Sequence, residues 1–228
     1  MASEPKRLSR AVQFAAEFID PISGERVSCG LGVRALDAQG RPTGRVPILN
    51  RSGRFIWRVY FVADGSEAPP PAEIEIEPGK LPYYADAFPL PQIPGDRLVR
   101  FHLRPSPAYA VPDGITALRG RLVETLPDAE PVPDALLRLA WTGPEGQQPQ
   151  VLPQDARSDE HGEFVVSLRA RPGFDANVAA GRPTAELHVF RFEDDETKHR
   201  VAGPLVLMEG RLQPRDDVFD WSDLTAVI

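Results

Sequence analysis

The sequence predicts an all-β chain of two tandem β-sandwich domains with a C-terminal arm, and three observations carry that prediction. Short runs of alternating apolar and polar residues recur along the chain, the period-two signature of strands with one buried face. The 25 prolines in 228 residues interrupt every stretch on which a long helix could form. The chain also repeats itself. Landmarks at residues 18–21, 53–56 and 72–76 are echoed at 123–125, 162–165 and 185–189, with spacings that differ only by what loops absorb.

Residues 1–10 are polar and read as a flexible leader, and the first domain spans 11–104. Val12, Phe14, Ala16 and Phe18 alternate with Gln13, Ala15 and Glu17 to make its first strand. Asp20 to Gly24 has the composition of a turn. Leu31, Val33 and Ala35 make a further strand, closed by a turn from Asp37 to Gly40. Residues 54–62 supply the most aromatic strand, and 73–77 alternate Glu with Ile. Between 78 and 94, Tyr83, Tyr84 and Phe88 stand among prolines, too apolar for a solvated loop and too broken for a regular element. The expectation is that they pack across the domain. Val99, Phe101 and Leu103 close it, and the Pro-rich stretch 105–114 reads as a linker.

The second domain is assigned to 115–214, with strands at 118–123, 137–141, 164–168, 186–192 and 204–208. Residues 215–228 form an acidic and aromatic C-terminal arm. Leu118-x-Gly120-x-Leu122-Val123, the step from Pro131 to Ala135, the strand with Trp141 and the turn from Ser158 to Phe164 resemble the carboxypeptidase regulatory-like, or transthyretin-like, β-sandwich. The resemblance covers most of the second half, whereas the first half keeps only the Asn50 to Phe55 turn. It implies immunoglobulin-like (transthyretin-like) sandwiches in which Asp159, Gly162 and Phe164 make a tight turn into a core strand. It implies only an accessory module, since the sequence has no His-x-x-Glu pair for a zinc peptidase site. The junction from Leu103 to Gly120 is similar to small sandwich proteins of phage-tail-like contractile injection systems, which implies a particle component.

Composition narrows the function classes. The formal charge is −7 and Lys and Arg are scattered singly, so no nucleic-acid partner is expected. No run approaches the ~20 apolar residues of a membrane span, and no secretory signal precedes the first domain, so a cytoplasmic protein is expected. Cys29, the only cysteine, cannot form an intrachain disulfide.

Each candidate for chemistry has a plainer reading. Glu193, Asp194, Asp195 and Glu196 with His199 are metal-ligand types, but the run falls between two strands and reads as a hairpin tip. Asp159, Glu160 and His161 are consecutive and do not converge on one reacting atom. Ser52 lacks a nucleophile elbow. Gly30, Gly32 and Gly40 have the wrong spacing for a phosphate cradle. Trp57 and Trp141 read as core aromatics, and His102 and His188 as surface imidazoles on polar strand faces.

Phe219, Trp221 and Leu224 in the arm are the candidate docking residues, with two alternatives: the arm covers its own sheet edge, or it docks on a neighbouring subunit. The expectation is a non-enzymatic structural or adaptor protein with no cofactor, no metal and no catalytic residue. Its partners are proteins of a larger assembly, homo-oligomers included. The alternative is a ligand-binding or adhesion module, for example for carbohydrate.

Overall fold

Where apolar and polar residues alternate, the chain is strand. The computed structural model describes residues 11–59, 61, 70–91, 98–143, 150–151, 155–168, 178–179, 182–193 and 196–227. The leader at 1–10 lies outside them. Among the described residues no α-helix occurs, and the one helical element is a 3-10 turn at Trp221–Asp223. The chain is all-β. It divides into two compact units, Met1–Leu103 and Arg104–Ile228.

The first unit contains β1 (Val12–Ile19), β2 (Arg26–Val27), β3 (Gly32–Leu36), β4 (Ile48–Leu49), β5 (Phe55–Arg58), β6 (Glu73–Glu77), β7 (Asp86–Pro89) and β8 (Leu98–His102). One sheet runs β2-β1-β5-β4, with β8 also paired to β1, and the other runs β3-β6-β7. Phe14, Ala16 and Phe18 of β1, Phe55 and Trp57 of β5 and Phe101 of β8 share one core with Ala35 of β3 and Ile74 and Ile76 of β6. Two layers therefore face each other across a single apolar interior. Trp57 stacks on Phe14 at 4.5 Å, and Phe18 meets Phe55, Phe88 and Phe101.

The second unit contains β9 (Thr116–Val123), β10 (Leu136–Trp141), β11 (Gln150–Val151), β12 (Ala156–Arg157), β13 (Glu163–Leu168), β14 (Val178–Ala179), β15 (Arg182–Glu193), β16 (Glu196–Val206), β17 (Leu212–Asp220) and β18 (Thr225–Ala226). One sheet is β13-β9-β17 and the larger one runs β11-β10-β15-β16-β18. Their shared core includes Leu118, Leu122, Leu137, Leu139, Trp141, Phe164, Val166, Leu187 and Val189.

The same pairing scheme recurs in each unit. In the first, β1 is antiparallel to β5 and parallel to β8, while β3, β6 and β7 pair in order. In the second, β9 is antiparallel to β13 and parallel to β17, while β10, β15 and β16 pair in order.

Two turns show how the sequence sets this scheme locally. Asp159 Oδ1 accepts the N–H groups of His161 and Glu163 at 2.9 and 2.8 Å, and Gly162 donates to the Asp159 carbonyl. Gly162 has φ +75°, and a Cβ there would sit 2.2 Å from the Leu122 carbonyl oxygen, so only glycine fits. Phe164 follows in the core. Asn50 repeats the device, accepting from Ser52 and Arg54 ahead of Phe55.

Several boundaries differ from the sequence expectations. The 78–94 stretch includes a regular strand, β7, which pairs with β6 and carries Phe88 against the core. Its described prolines, Pro78, Pro82, Pro89 and Pro91, sit at or beyond the strand ends, where a missing N–H costs no ladder bond. The strand expected at 204–208 is the end of β16, whose Thr197-Lys198-His199-Arg200 start lacks apolar alternation. In the stretch read as a linker, Tyr109 is buried, its carbonyl accepts from Arg119, and Gly114 donates to the Gly210 carbonyl. The expected boundary between 214 and 215 falls inside β17.

Candidate functional site

The C-terminal residues continue β17 along β9 in parallel register, from Val218 opposite Arg121 to Asp220 opposite Val123. Asp220 then caps the 3-10 turn. Its Oδ1 accepts from the Ser222 N–H and hydroxyl at 2.8 and 2.6 Å, and its Oδ2 from the Leu126 N–H at 2.8 Å. The Ser222 hydroxyl, with the Leu126 N–H, outweighs burial and holds the Asp220 carboxyl below the usual carboxylate range. Phe219 lies 5.8 Å from Phe164 inside the core. A Cβ on Gly120 would meet both rings at 2.9 Å, so the glycine of the Leu-x-Gly-x-Leu-Val pattern makes room for them.

Trp221 is 6% exposed. The Arg191 and Arg200 guanidiniums lie 5.2 and 4.7 Å from its ring centroid. Arg200 also donates to the Trp221 carbonyl at 2.5 Å, and Arg191 pairs with Glu124 at 2.7 Å. Leu224 packs on the same core, and β18 pairs with β16 at Arg200 and Val201. Of the two alternatives for Phe219, Trp221 and Leu224, this arrangement is the cover of the unit's own sheets. Phe219 and Trp221 present almost no surface through which to dock on another subunit.

On the outer face of the larger sheet of the second unit, His188 of β15 faces His199 of β16. His188 Nδ1 and His199 Nε2 are 3.0 Å apart with ring centroids at 5.2 Å, the geometry of an imidazole–imidazole hydrogen bond. Phe190 stacks on His199 at 4.2 Å, and the Arg138 guanidinium lies 5.2 Å from the Phe190 ring. Asp155 holds Arg138 from the other side, with Oδ2 accepting at 3.1 Å. Glu186 Oε2 is 3.6 Å from His188 Nε2, too long for a hydrogen bond.

His188 is therefore not the surface imidazole expected from its polar strand face. Its neighbours leave it 9% exposed. Burial, then the neighbouring His199 and Arg138, push its pKa down to about 4, and burial with Arg138 lowers that of His199.

The other candidates, where described, do not gather into a site. Asp159 is spent on its turn, and the Glu160–His161 contact of 3.5 Å is solvent-exposed. The Ser52 hydroxyl donates to Asn50. Trp57 and Trp141 are core residues, as expected, and His102 and Cys29 are exposed. Asp194, Asp195 and the side chains of Glu193 and Glu196 lie outside the described residues. Among those described, no three His, Cys, Asp or Glu are placed to hold a metal ion, and no helix is long and apolar enough to cross a membrane.

The feature that sequence reading missed is in the first unit. Glu17, its side chain 1% exposed, points away from the aromatic core and accepts from Arg54 at 2.6 Å and Arg100 at 3.0 Å, with Arg26 at 2.7 Å. Burial acts to raise its pKa, but the Arg54 and Arg100 hydrogen bonds and the Arg26 charge prevail and lower it. Arg45 reaches Gln13 on the same face of β1, and Arg58 follows Trp57 onto that face by strand alternation. Arginines scattered along the sequence thus converge on one sheet face. The reading of dispersed basic residues is corrected here, because β-pairing gathers positions as distant as Arg26 and Arg100.

No protein-family model matches the sequence, and no curated protein resembles it significantly. Among solved structures, similarity extends to a Streptococcal ancillary pilin (9% identity, 91% of this chain and 62% of that one, TM-score 0.25). It extends also to the shaft pilin SpaA from Lactobacillus rhamnosus GG (10% identity, 95% and 97%, TM-score 0.25). A 9R-lipoxygenase from Cyanothece PCC8801 shares 19% identity over 47% of this chain and 16% of its own, at a TM-score of 0.28. This chain spans less than two thirds of the ancillary pilin and of the lipoxygenase. At such TM-scores the functional reading rests on the chain's own residues.

Proposed function

We propose that this chain is a non-enzymatic structural or adaptor protein that holds other proteins together in a larger assembly in the cytoplasm. One observation carries the reading. Asp159, Ser52, Trp57, Trp141, His188 and His199 are occupied as turn residues, core aromatics or a packed pair, while an arginine-rich sheet face beside exposed apolar residues is open to solvent. Arginine beside apolar surface is the composition of protein interfaces. The carbohydrate-binding alternative needs an exposed aromatic shelf; Trp57 and Trp141 are inside the cores, and the exposed Phe61 and Phe192 belong to different units.

The particular assembly rests on the sequence resemblance, which points to a contractile tail-like particle. Affinity purification of the tagged full chain from its native source tests both levels. Stoichiometric protein partners support the adaptor role, and sheath, tube or baseplate-like subunits among them support the particle. Recovery of the chain alone under gentle crosslinking refutes the proposal.

A further inference from the structure

We infer that the outer face of the β2-β1-β5-β4 sheet, with its β4 edge, binds an extended acidic segment of a partner protein. The inference rests on the adaptor reading and names the chemistry of the partner.

Charge is the first ground. Glu17 is the only acidic residue in β1, β2, β4, β5 and β8, and it is covered by Arg26, Arg54 and Arg100. Arg45 and Arg58 extend the face toward β4, and no Asp or Glu occurs between residues 38 and 63. In a chain of net charge −7 this face has the opposite sign. The buried carboxylate fixes one side of each guanidinium, so the remaining N–H groups are held in place for further carboxylates.

The second ground is the edge. Among the described residues β4 ends the sheet and pairs only with β5, Ile48 opposite Ile56 and Leu49 opposite Phe55. Asn50 donates to the Arg54 carbonyl, so by antiparallel alternation Ile48 also turns its polar groups toward β5. That leaves the Leu49 N–H and C=O on the outer edge, ready to pair with an added strand. Val46, Ile48 and Leu49 are 78%, 45% and 44% exposed beside it.

An acidic strand with alternating apolar residues satisfies both features at once. Nucleic acid would match the arginines but gain nothing from the apolar side chains, and a long polyanion would meet the net negative charge beyond the face. A second copy of this chain would bring β4 against β4 and arginine against arginine.

The test uses the full chain and three fluorescent probes: a Glu-Val-Glu-Val-Glu-Val-Glu peptide, its Lys-for-Glu counterpart, and a single-stranded oligothymidylate. Anisotropy should show saturable binding of the acidic peptide that weakens as salt rises from about 50 to about 500 mM. Joint Arg58→Glu and Arg51→Glu replacement, Arg51 being exposed in the turn joining β4 to β5, should weaken it about tenfold or more. Among the described residues neither arginine pairs with a carboxylate, so circular dichroism should be unchanged. Leu49→Pro, which removes the edge N–H, should also weaken it.

Equal binding of the lysine peptide, tighter binding of the oligothymidylate, or indifference to all three substitutions overturns the inference. So does dimerisation through β4 without peptide binding. If native partners still co-purify with the charge-reversed variant, this face fails while the adaptor role stands; if wild type captures no partner, the adaptor role itself fails.

Discussion

Trp221→Ala should destabilise the second unit. The ring is 6% exposed and packs in a core with Phe219, Leu224 and the large-sheet residues, so truncation removes its buried area and leaves a cavity. Core Trp or Phe to Ala changes cost about 3–5 kcal/mol. Loss of the two guanidinium contacts adds to this, though partly: Arg191 keeps Glu124, and Arg200 keeps the backbone carbonyl at 221. Against a typical domain stability of about 5–15 kcal/mol the loss is large, and it corresponds to a Tm drop on the order of 10–20 °C. Thermal melting by circular dichroism, with hydrogen exchange measured separately in each unit, reads it. Exchange should rise in β9, β15 and β16 and stay unchanged in β1 and β5. Trp221→Phe, which keeps a ring between the arginines, should recover a substantial part. A variant within about 0.5 kcal/mol of wild type that instead loses partner affinity would refute the cis-packing argument and restore docking in trans.

Gly162→Ala forces a Cβ against the Leu122 carbonyl at positive φ and should cost at least about 2 kcal/mol in a urea titration; a loss under about 0.5 would show the turn can relax. His188 has a folded-state pKa near 4 against about 6.5 unfolded, so the unfolded chain binds the proton first as pH falls. Stability should therefore be full above about 6.5 and decline toward pH 4, by on the order of 3 kcal/mol, in urea melts across that range; His188→Phe should flatten this dependence, and an unaltered profile would count against it. Glu17 has a lowered pKa, so its contribution is present above the ordinary Glu range and is lost as pH falls further. Glu17→Gln removes the charge that three partly exposed arginines share and should cost about 1–3 kcal/mol at neutral pH, measurable by the same titration.

The sequence was most legible where one residue type solves one local problem. The alternation from Val12 to Phe18, and the Asn50–Gly53 and Asp159–Gly162 turns, could be placed because a pleat needs period two and a tight turn needs a side-chain acceptor and a positive φ. What depends on pairing was not legible. Nothing local in β8 or β17 announces a parallel neighbour, so the sequence by itself divides β17 at 214 and places its aromatics in an arm. His188 read as a surface residue because its polar face is covered only once Arg138 and His199 arrive from adjacent strands. The arginine face stayed hidden for the same reason: Glu17, Arg54 and Arg100 become neighbours only through register.

The parallel pairing of β1 with β8 has a mechanical meaning. These are the first and last described strands of their unit, joined in register from Ala15 opposite Leu98 to Ile19 opposite His102 and extended by the Leu103 N–H to the Ile19 carbonyl. A pull on the two ends of the unit draws these strands in opposite directions along their own axes. Every rung is then strained together, instead of parting one at a time as in an unzipped hairpin, and the aromatic interlock of Phe14, Phe18 and Phe101 must slide before any strand is freed. A protein that links others under load gains from such a clamp, since its lifetime under tension is set by the barrier to unfolding rather than by equilibrium stability.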